Sequence, residues 1–319
     1  MTPPAIETRR LSKDYGQERG LFDCDLRVEP GEIFGFLGPN GAGKTTLIRL
    51  LMGMIRPTRG LATIFGLDCQ MEAVPIKRLT GYIPGELPQF GGLRGNEIVA
   101  YLAGLRGGVD PARVRAIAER FDLDLGRKFR EYSRGNKQKL GILIAFMARP
   151  RLLVLDEPTS GLDPLNQQTF YQLVREARAE SATVFLSSHI LSEVEHVCDR
   201  VGIVRRGRLV RVAELEDLHR IRVHHVEIEF GGTPPVARIR AAAGVERVTV
   251  QGSRISCTVR GSFEALMQAI AGEPVLSLSS AEPSLEEVFL AYYQEDAGRE
   301  DPGGEASPGD QSTPNAAAG

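Results

Sequence analysis

The stretch Gly38-Pro-Asn-Gly-Ala-Gly-Lys44-Thr45-Thr46 constrains this chain more than any other. It follows a nearly continuous apolar run, Glu32–Leu37, and precedes Leu47, Leu50, Leu51 and Met54, which read as one face of a helix. A glycine loop between a strand and a helix suits an anion. Glycines let successive backbone N–H groups turn inward without Cβ clashes, and the helix N-terminus adds partial positive charge. In this GxxxxGK[ST] pattern, Gly38, Pro39, Asn40, Gly41, Ala42, Gly43, Lys44, Thr45 and Thr46 form the expected phosphate-binding set. Lys44 reaches the β- and γ-phosphates, and Thr45 is placed to ligate Mg²⁺.

Such a loop needs a carboxylate strand beside it. Leu152-Leu-Val-Leu155 is an apolar run that ends in Asp156 and Glu157. A buried strand exposes its carboxyl end where ligands bind. Asp156 is therefore expected to hold Mg²⁺ through water, and Glu157, pointing the other way, to polarise an attacking water as general base. A third apolar run, Thr183–Leu186, is followed by Ser187-Ser188-His189, which puts His189 at the mouth of the same sheet and in reach of a γ-phosphate.

The remaining pattern describes the frame. Phe22, Cys24, Leu26 and Val28 alternate with charged residues, which predicts a half-buried strand, and Pro30-Gly31 is a turn. Asp110-Pro111 opens a helix with a cap and an N1 proline. Strands alternating with helices imply a parallel or mixed sheet covered on both faces. After about Ala213 the texture changes. Val226–Phe230, Val245–Val250, Arg254–Val259 and Val275–Leu278 read as strands, the middle two forming a hairpin across Gly252-Ser253. Pro235–Ala243, Phe263–Ala271 and Leu285–Tyr293 read as helices, so the order is βαββαβ plus a last helix, a ferredoxin-like unit. From Glu295 onward six carboxylates face a single Arg299 among Gly, Pro, Ser and Ala, the composition of a disordered acidic tail.

A length of 319 residues suits about two domains. The net charge of −2 gives no electrostatic case for nucleic acid. Cys24, Cys69, Cys198 and Cys257 are far apart and form no CxxC pair, so they read as reduced thiols of a cytosolic compartment. No apolar run approaches the ~18–20 residues of a membrane helix, and the first residues lack an apolar signal core. The chain is not expected to span a membrane by itself. His224 and His225 are adjacent on a strand, face opposite ways and cannot share a metal.

Together these residues resemble the nucleotide-binding subunit of ATP-binding-cassette (ABC) transporters, in the family's order over residues 5–212. The resemblance makes 38–46 the Walker A loop, 152–157 the Walker B strand with Glu157 as catalytic glutamate, and His189 the switch histidine. Ser160-Gly-Leu-Asp163 matches the D-loop, which places Asp163 at the nucleotide, and Tyr15 matches the aromatic that stacks on adenine. Lys44 and Glu157 are 113 residues apart, room for the family's helical subdomain at about 85–150. There Tyr132-Ser-Arg-Gly-Asn-Lys-Gln138 falls where the signature LSGGQ belongs. Two positions depart from the pattern. Arg134 replaces the first signature glycine, and Gly85-Glu86 follows Gly81-Tyr-Ile-Pro84 where the Q-loop glutamine belongs. With a one-residue shift of the backbone, Glu86 supplies the Mg²⁺ or water ligand.

The implied fold is α/β: a P-loop NTPase ABC cassette with a RecA-like core, an antiparallel β part and a helical subdomain. A small α+β C-terminal domain (213–293) and a disordered tail (294–319) follow. The implied function is the ATP-binding and hydrolysing subunit that energises export of a drug, antibiotic or lipid-like substrate. ATP and Mg²⁺ are the cofactors. A second cassette subunit, in a homodimer, and a separate polytopic membrane permease are the partners, at the cytoplasmic face of the cell membrane. In that dimer Ser133, Arg134, Gly135 and Asn136 serve a nucleotide held by the neighbour, from a helix start made positive by its dipole, Arg134 and Lys137. Arg134 itself adds charge toward the γ-phosphate or points away while the backbone binds. Basic residues at this place, and the stretch Pro283–Leu290, are similar to the drug- and antibiotic-export branch and its daunorubicin-resistance-type ATPases. The alternatives are a soluble ABC ATPase uncoupled from transport and an importer ATPase. A single cassette, no sustained heptads and near-neutral charge weigh against the first, and the C-terminal similarity against the second.

Overall fold

Alternating sequence makes an antiparallel sheet at one side of the first unit. It pairs β1 (Ile6–Asp14) with β2 (Gly20–Val28) and with β4 (Arg59–Ile64), and β5 (Leu67–Asp68) closes the edge in the order β2-β1-β4-β5. The alternation in β2 is broken once. Cys24, Leu26 and Val28 are buried as expected, but Leu21 and not Phe22 continues the row. The cause is a bulge: Leu11 pairs with Cys24 and Lys13 with Leu21, and Asp23 takes a φ of +47° between them.

Continuous apolar sequence makes the central sheet. β3 (Ile33–Leu37), β7 (Leu152–Asp156) and β8 (Thr183–Ser188) are buried at every position, as strands covered on both faces must be. β6 (Thr80–Ile83) and β9 (Arg200–Arg205) extend the parallel set, and β10 (Arg208–Glu214) returns antiparallel along β9. The order is β10-β9-β3-β8-β7-β6. The phosphate loop, the two acids and the histidine therefore leave from the carboxyl ends of three neighbouring strands, β3, β7 and β8.

Helix α1 (Lys44–Leu51) is shorter than the apolar pattern predicts. Gly53 at φ +61° ends it, with Met54 N–H donating to Arg49 O and Gly53 N–H to Leu50 O. Met54 thus lies beyond the helix and is exposed. Between β4 and the acids come α2 (Ala73–Leu79), α3 (Gly95–Gly104), α4 (Pro111–Arg120) and α5 (Arg134–Phe146). Asp110 caps α4 by accepting from Ala112 N–H at 2.8 Å. α6 (Pro164–Ala179) and α7 (Leu191–Val197) complete the unit. Arg113 and Arg120 of α4 reach Glu180 and Glu176 at the end of α6, at 3.3 and 2.6 Å.

The computed structural model describes residues 2–215 and 223–281, and the latter make a separate unit. Strands β11 (Val223–Phe230), β12 (Val245–Gln251), β13 (Arg254–Arg260) and β14 (Val275–Ala281) form an antiparallel sheet in the order β12-β13-β11-β14. Helices α8 (Val236–Ala241) and α9 (Glu264–Ile270) fall after β11 and β13. First and third strands at the centre of a βαββαβ chain is the ferredoxin-like order. Val226, Ile228, Phe230, Ile239, Ile255, Val259 and Leu266 fill its core. The helix expected at Leu285–Tyr293 and the acidic tail lie outside the described residues.

Candidate functional site

The loop after β3 is held closed from below. Gly38 N–H donates to Ser188 O at 3.2 Å, and a Cβ at Gly38 would sit 2.3 Å from Val204 O, so only glycine fits. Gly43, at φ +106°, is the N-cap of α1, and the turn between β9 and β10 supports the loop through Gly207 N–H to Ala42 O at 3.0 Å. Lys44 is buried. Its Nζ donates to Gly38 O at 2.6 Å and Pro39 O at 3.2 Å, and lies 3.2 Å from Glu157 Oε1.

Asp156, 1% exposed, is fixed through both oxygens: Thr45 Oγ1 donates to Oδ2 at 2.9 Å and Ser187 Oγ to Oδ1 at 2.6 Å. A Cβ on Gly85 would stand 3.2 Å from Asp156 Oδ2. That brings Gly85 beside the acid, and the next residue, Glu86, is exposed. Burial first, and the charge of Asp156 second, push the Tyr82 phenol up to about 12.

Glu157 turns away from Asp156 through a left-handed backbone conformation, φ +49°. Its N–H donates to Ser187 at 3.2 Å, and its Oε2 stands 2.7 Å from His189 Nδ1. Oε1 is buried and, beyond its approach to Lys44, has no hydrogen-bond donor. The carboxylate is thus held in place between a cation and an imidazole.

The following turn is tied on both sides. Glu193 accepts from Thr159 and Ser188 hydroxyls, each at 2.5 Å, and joins the turn to the segment that carries His189. From α5, Gln138 Nε2 donates to Pro158 O at 2.8 Å and Arg134 Nη2 to Ser160 Oγ at 2.8 Å. Ser133 caps α5 by accepting from Asn136 N–H at 3.2 Å, with Gly135 between them. Asp163 caps α6: its bonds from Asn166 hold the carboxyl below the usual carboxylate range. Tyr15 stands exposed where the chain leaves β1 for the turn to β2, its ring centroid 5.5 Å from Lys13 Nζ.

The structure therefore gathers Lys44, Thr45, Asp156, Glu157 and His189 into one cluster. It directs the Arg134 side chain to Ser160 of its own chain. Ser187, Glu193 and Gly85 are the partners to which the sequence pattern gave no role. Only the adjacency of Ser187 and Ser188 to His189, and of Gly85 to the expected Q-loop position, carried any signal for them.

An anion-cradling helix start, a hydroxyl–carboxylate pair and a glutamate aimed at the same opening define a P-loop nucleotide hydrolase. A family model described as ABC transporter matches residues 21–160. The bacitracin transport ATP-binding protein of Enterococcus faecalis is 35% identical over 73% of this chain and 77% of its own length. The daunorubicin resistance ATP-binding protein of Streptomyces coeruleorubidus is 33% identical over 93% of this chain and 98% of its own. A solved ATP-binding subunit of an ABC transporter superposes with a TM-score of 0.63 at 32% identity, covering 68% of this chain and 92% of that one. The chain belongs to the ABC transporter ATP-binding proteins, and it is an ATP hydrolase of that family.

Proposed function

We propose that this chain hydrolyses ATP·Mg²⁺ to energise export through a separate membrane permease. The placement of Glu157 between Lys44 and His189, at the mouth of the phosphate loop, carries the reading. The residues present suit the metal: Thr45 Oγ1 and Asp156 Oδ2, already 2.9 Å apart, offer the hydroxyl and carboxylate that Mg²⁺ takes, and Gly85 leaves the space beside them. When bound, Mg²⁺ neutralises charge on the β- and γ-phosphates. The loop N–H groups and Lys44 orient the phosphates, Glu157 accepts the proton of the attacking water, and His189 holds the Glu157 carboxylate and faces the γ-phosphate. Tyr15 takes the adenine.

Ser133, Gly135 and Asn136 lie at the start of α5, whose first N–H groups have no intrahelical acceptor. We assign this start, with Asp163, to the nucleotide of a second copy, so that two chains complete two sites. Export is supported by the bacitracin and daunorubicin proteins among the relatives. Among the described residues no helix is long and apolar enough to cross a membrane, and we assign the export pathway to a separate polypeptide.

The test is Glu157→Gln in the full chain. Hydrolysis is expected to fall about 100-fold or more while ATP still binds, and ATP is expected to convert the variant to a dimer in analytical ultracentrifugation. A variant that hydrolyses normally, or binds ATP and stays monomeric, would refute the composite site. Co-purification of tagged wild-type chain with a polytopic membrane protein is the expected result for coupling. Recovery with ribosomes or DNA instead would favour the uncoupled ATPase.

A further inference from the structure

The first turns of α5 grip the turn that carries Glu157, and they do so within one chain. Arg134 extends to Ser160, its Nη2 donating to Oγ at 2.8 Å. Its aliphatic stem lies over Gly161, where φ is +80° and a Cβ would stand 3.3 Å from Arg134 Cγ. Backbone meets backbone at the next residue: a Cβ on Gly135 would come within 2.8 Å of Gly161 O. One turn further, buried Gln138 donates to Pro158 O at 2.8 Å. Residues 157–161 are thus held at three places by a helix whose start is free to meet something else.

We propose that Arg134 and Gln138 are positioning residues for Glu157 of their own chain, and that Arg134 is not a ligand for the γ-phosphate of the facing nucleotide. The inference rests on the reading of Glu157 as general base and of the α5 start as part of a site completed by a second copy. Several observations favour it over phosphate binding. The guanidinium already has a fixed acceptor in cis. Glycines at 135 and 161 are the residues that allow so close a seat. And Glu157 keeps a left-handed backbone (φ +49°), which the surrounding structure must hold in place. Gln138 carries the larger share, because a buried carbonyl left without its donor is costly while an exposed bond is readily replaced by water. Because displacing a base by about 1 Å can cost about 100-fold in rate, modest loosening of this turn registers in turnover. A nucleotide that presses on the α5 start of one subunit then also adjusts the base of that subunit's own site.

The experiment is steady-state ATP hydrolysis by the full chain with Arg134→Met, Ser160→Ala, their double variant, and Gln138→Met. Arg134→Met keeps the stem over Gly161, and Ser160→Ala probes the same bond from the other side with minimal change. Expected are a fall in kcat of about 3- to 10-fold for Arg134→Met and Ser160→Ala and about 10- to 100-fold for Gln138→Met, with KM for ATP within about two-fold of wild type. The double variant is expected to be no slower than Arg134→Met alone, since both remove one bond. ATP-driven dimerisation in the Glu157→Gln background is expected to survive Arg134→Met. A raised KM with kcat retained, loss of that dimer, multiplicative losses in the double variant, or unchanged kcat would each overturn the proposal. Normal hydrolysis by Glu157→Gln itself would instead overturn the reading beneath it.

Discussion

At the scale of single residues, the Glu157 carboxylate is set between two side chains, Lys44 on one oxygen and His189 on the other. His189 is the exposed member of the cluster, bonded to Glu157 at 2.7 Å. Removing it leaves the phosphate loop, Thr45 and Asp156 untouched. His189→Ala should therefore lower kcat by about 100-fold while ATP affinity, measured with a fluorescent nucleotide, stays near wild type. Glu193 is the opposite case, buried, with a hydroxyl on each oxygen. Glu193→Gln sets an amide against one of those hydroxyls and is expected to cost about 1–3 kcal/mol in urea unfolding. The sequence made the loop and the acids legible because glycine spacing and an apolar run ending in carboxylates are local patterns. Glu193 and Ser187 were silent there, since a lone glutamate or serine acquires meaning only from partners distant in sequence. Arg134 was visible as a departure, yet its seat on Ser160 could be found only from the packing of α5 against the 157–161 turn.

At the scale of elements, small backbone decisions fix where strands and helices stop. Gly81 lies in β6, next to the strand of the acids, and a Cβ there would stand 2.2 Å from Ala145 O at the end of α5. Backbone cannot yield as a side-chain tip can, so Gly81→Ala should destabilise the chain by about 1–3 kcal/mol in urea unfolding. Asp110→Ala removes the cap of α4 and should cost about 1 kcal/mol by the same measurement, without changing KM for ATP. The continuous apolar runs of β7 and β8, and the start of α4 at Asp110-Pro111, were legible to within a residue or two. The bulge in β2 was not, because alternation alone cannot register the extra residue at Asp23 that turns Leu21 inward. The end of α1 was misjudged for a related reason: Met54 fits the helical period, but Gly53 at φ +61° had already closed the helix.

At the scale of the whole molecule, all four cysteines are buried thiols. Burial pushes Cys24 and Cys69 up to about 12 and raises Cys198 and Cys257 as well. The native chain should not react with a thiol reagent at mildly alkaline pH, whereas the unfolded chain should release four equivalents. Because these pKa values are raised in the fold, their contribution to stability is complete below the unfolded thiol value near 9 and is lost as pH rises toward about 12. Cys24 and Cys69 each add a slope of about 1.4 kcal/mol per pH unit in that window. Urea unfolding at increasing alkalinity should show the decline, and Cys24→Ala should make it shallower.

The pairing of β3 has a consequence for how the chain is made. Ile33 pairs with Val184, and Phe34 with Arg200, so both neighbours of this wholly apolar strand are translated long after it. At about 5–20 residues per second, β3 emerges on the order of ten seconds before its two strand partners. In that interval the glycine loop has no sheet to anchor it, and Ile33-Phe-Gly-Phe-Leu37 offers an open edge to other nascent chains and to chaperones. Ribosome-bound fragments that stop before β9 should neither retain ATP nor resist protease, while fragments that also expose β10 should do both. Nucleotide binding thus becomes a late checkpoint of synthesis, reached only when the last strands of the cassette have left the ribosome.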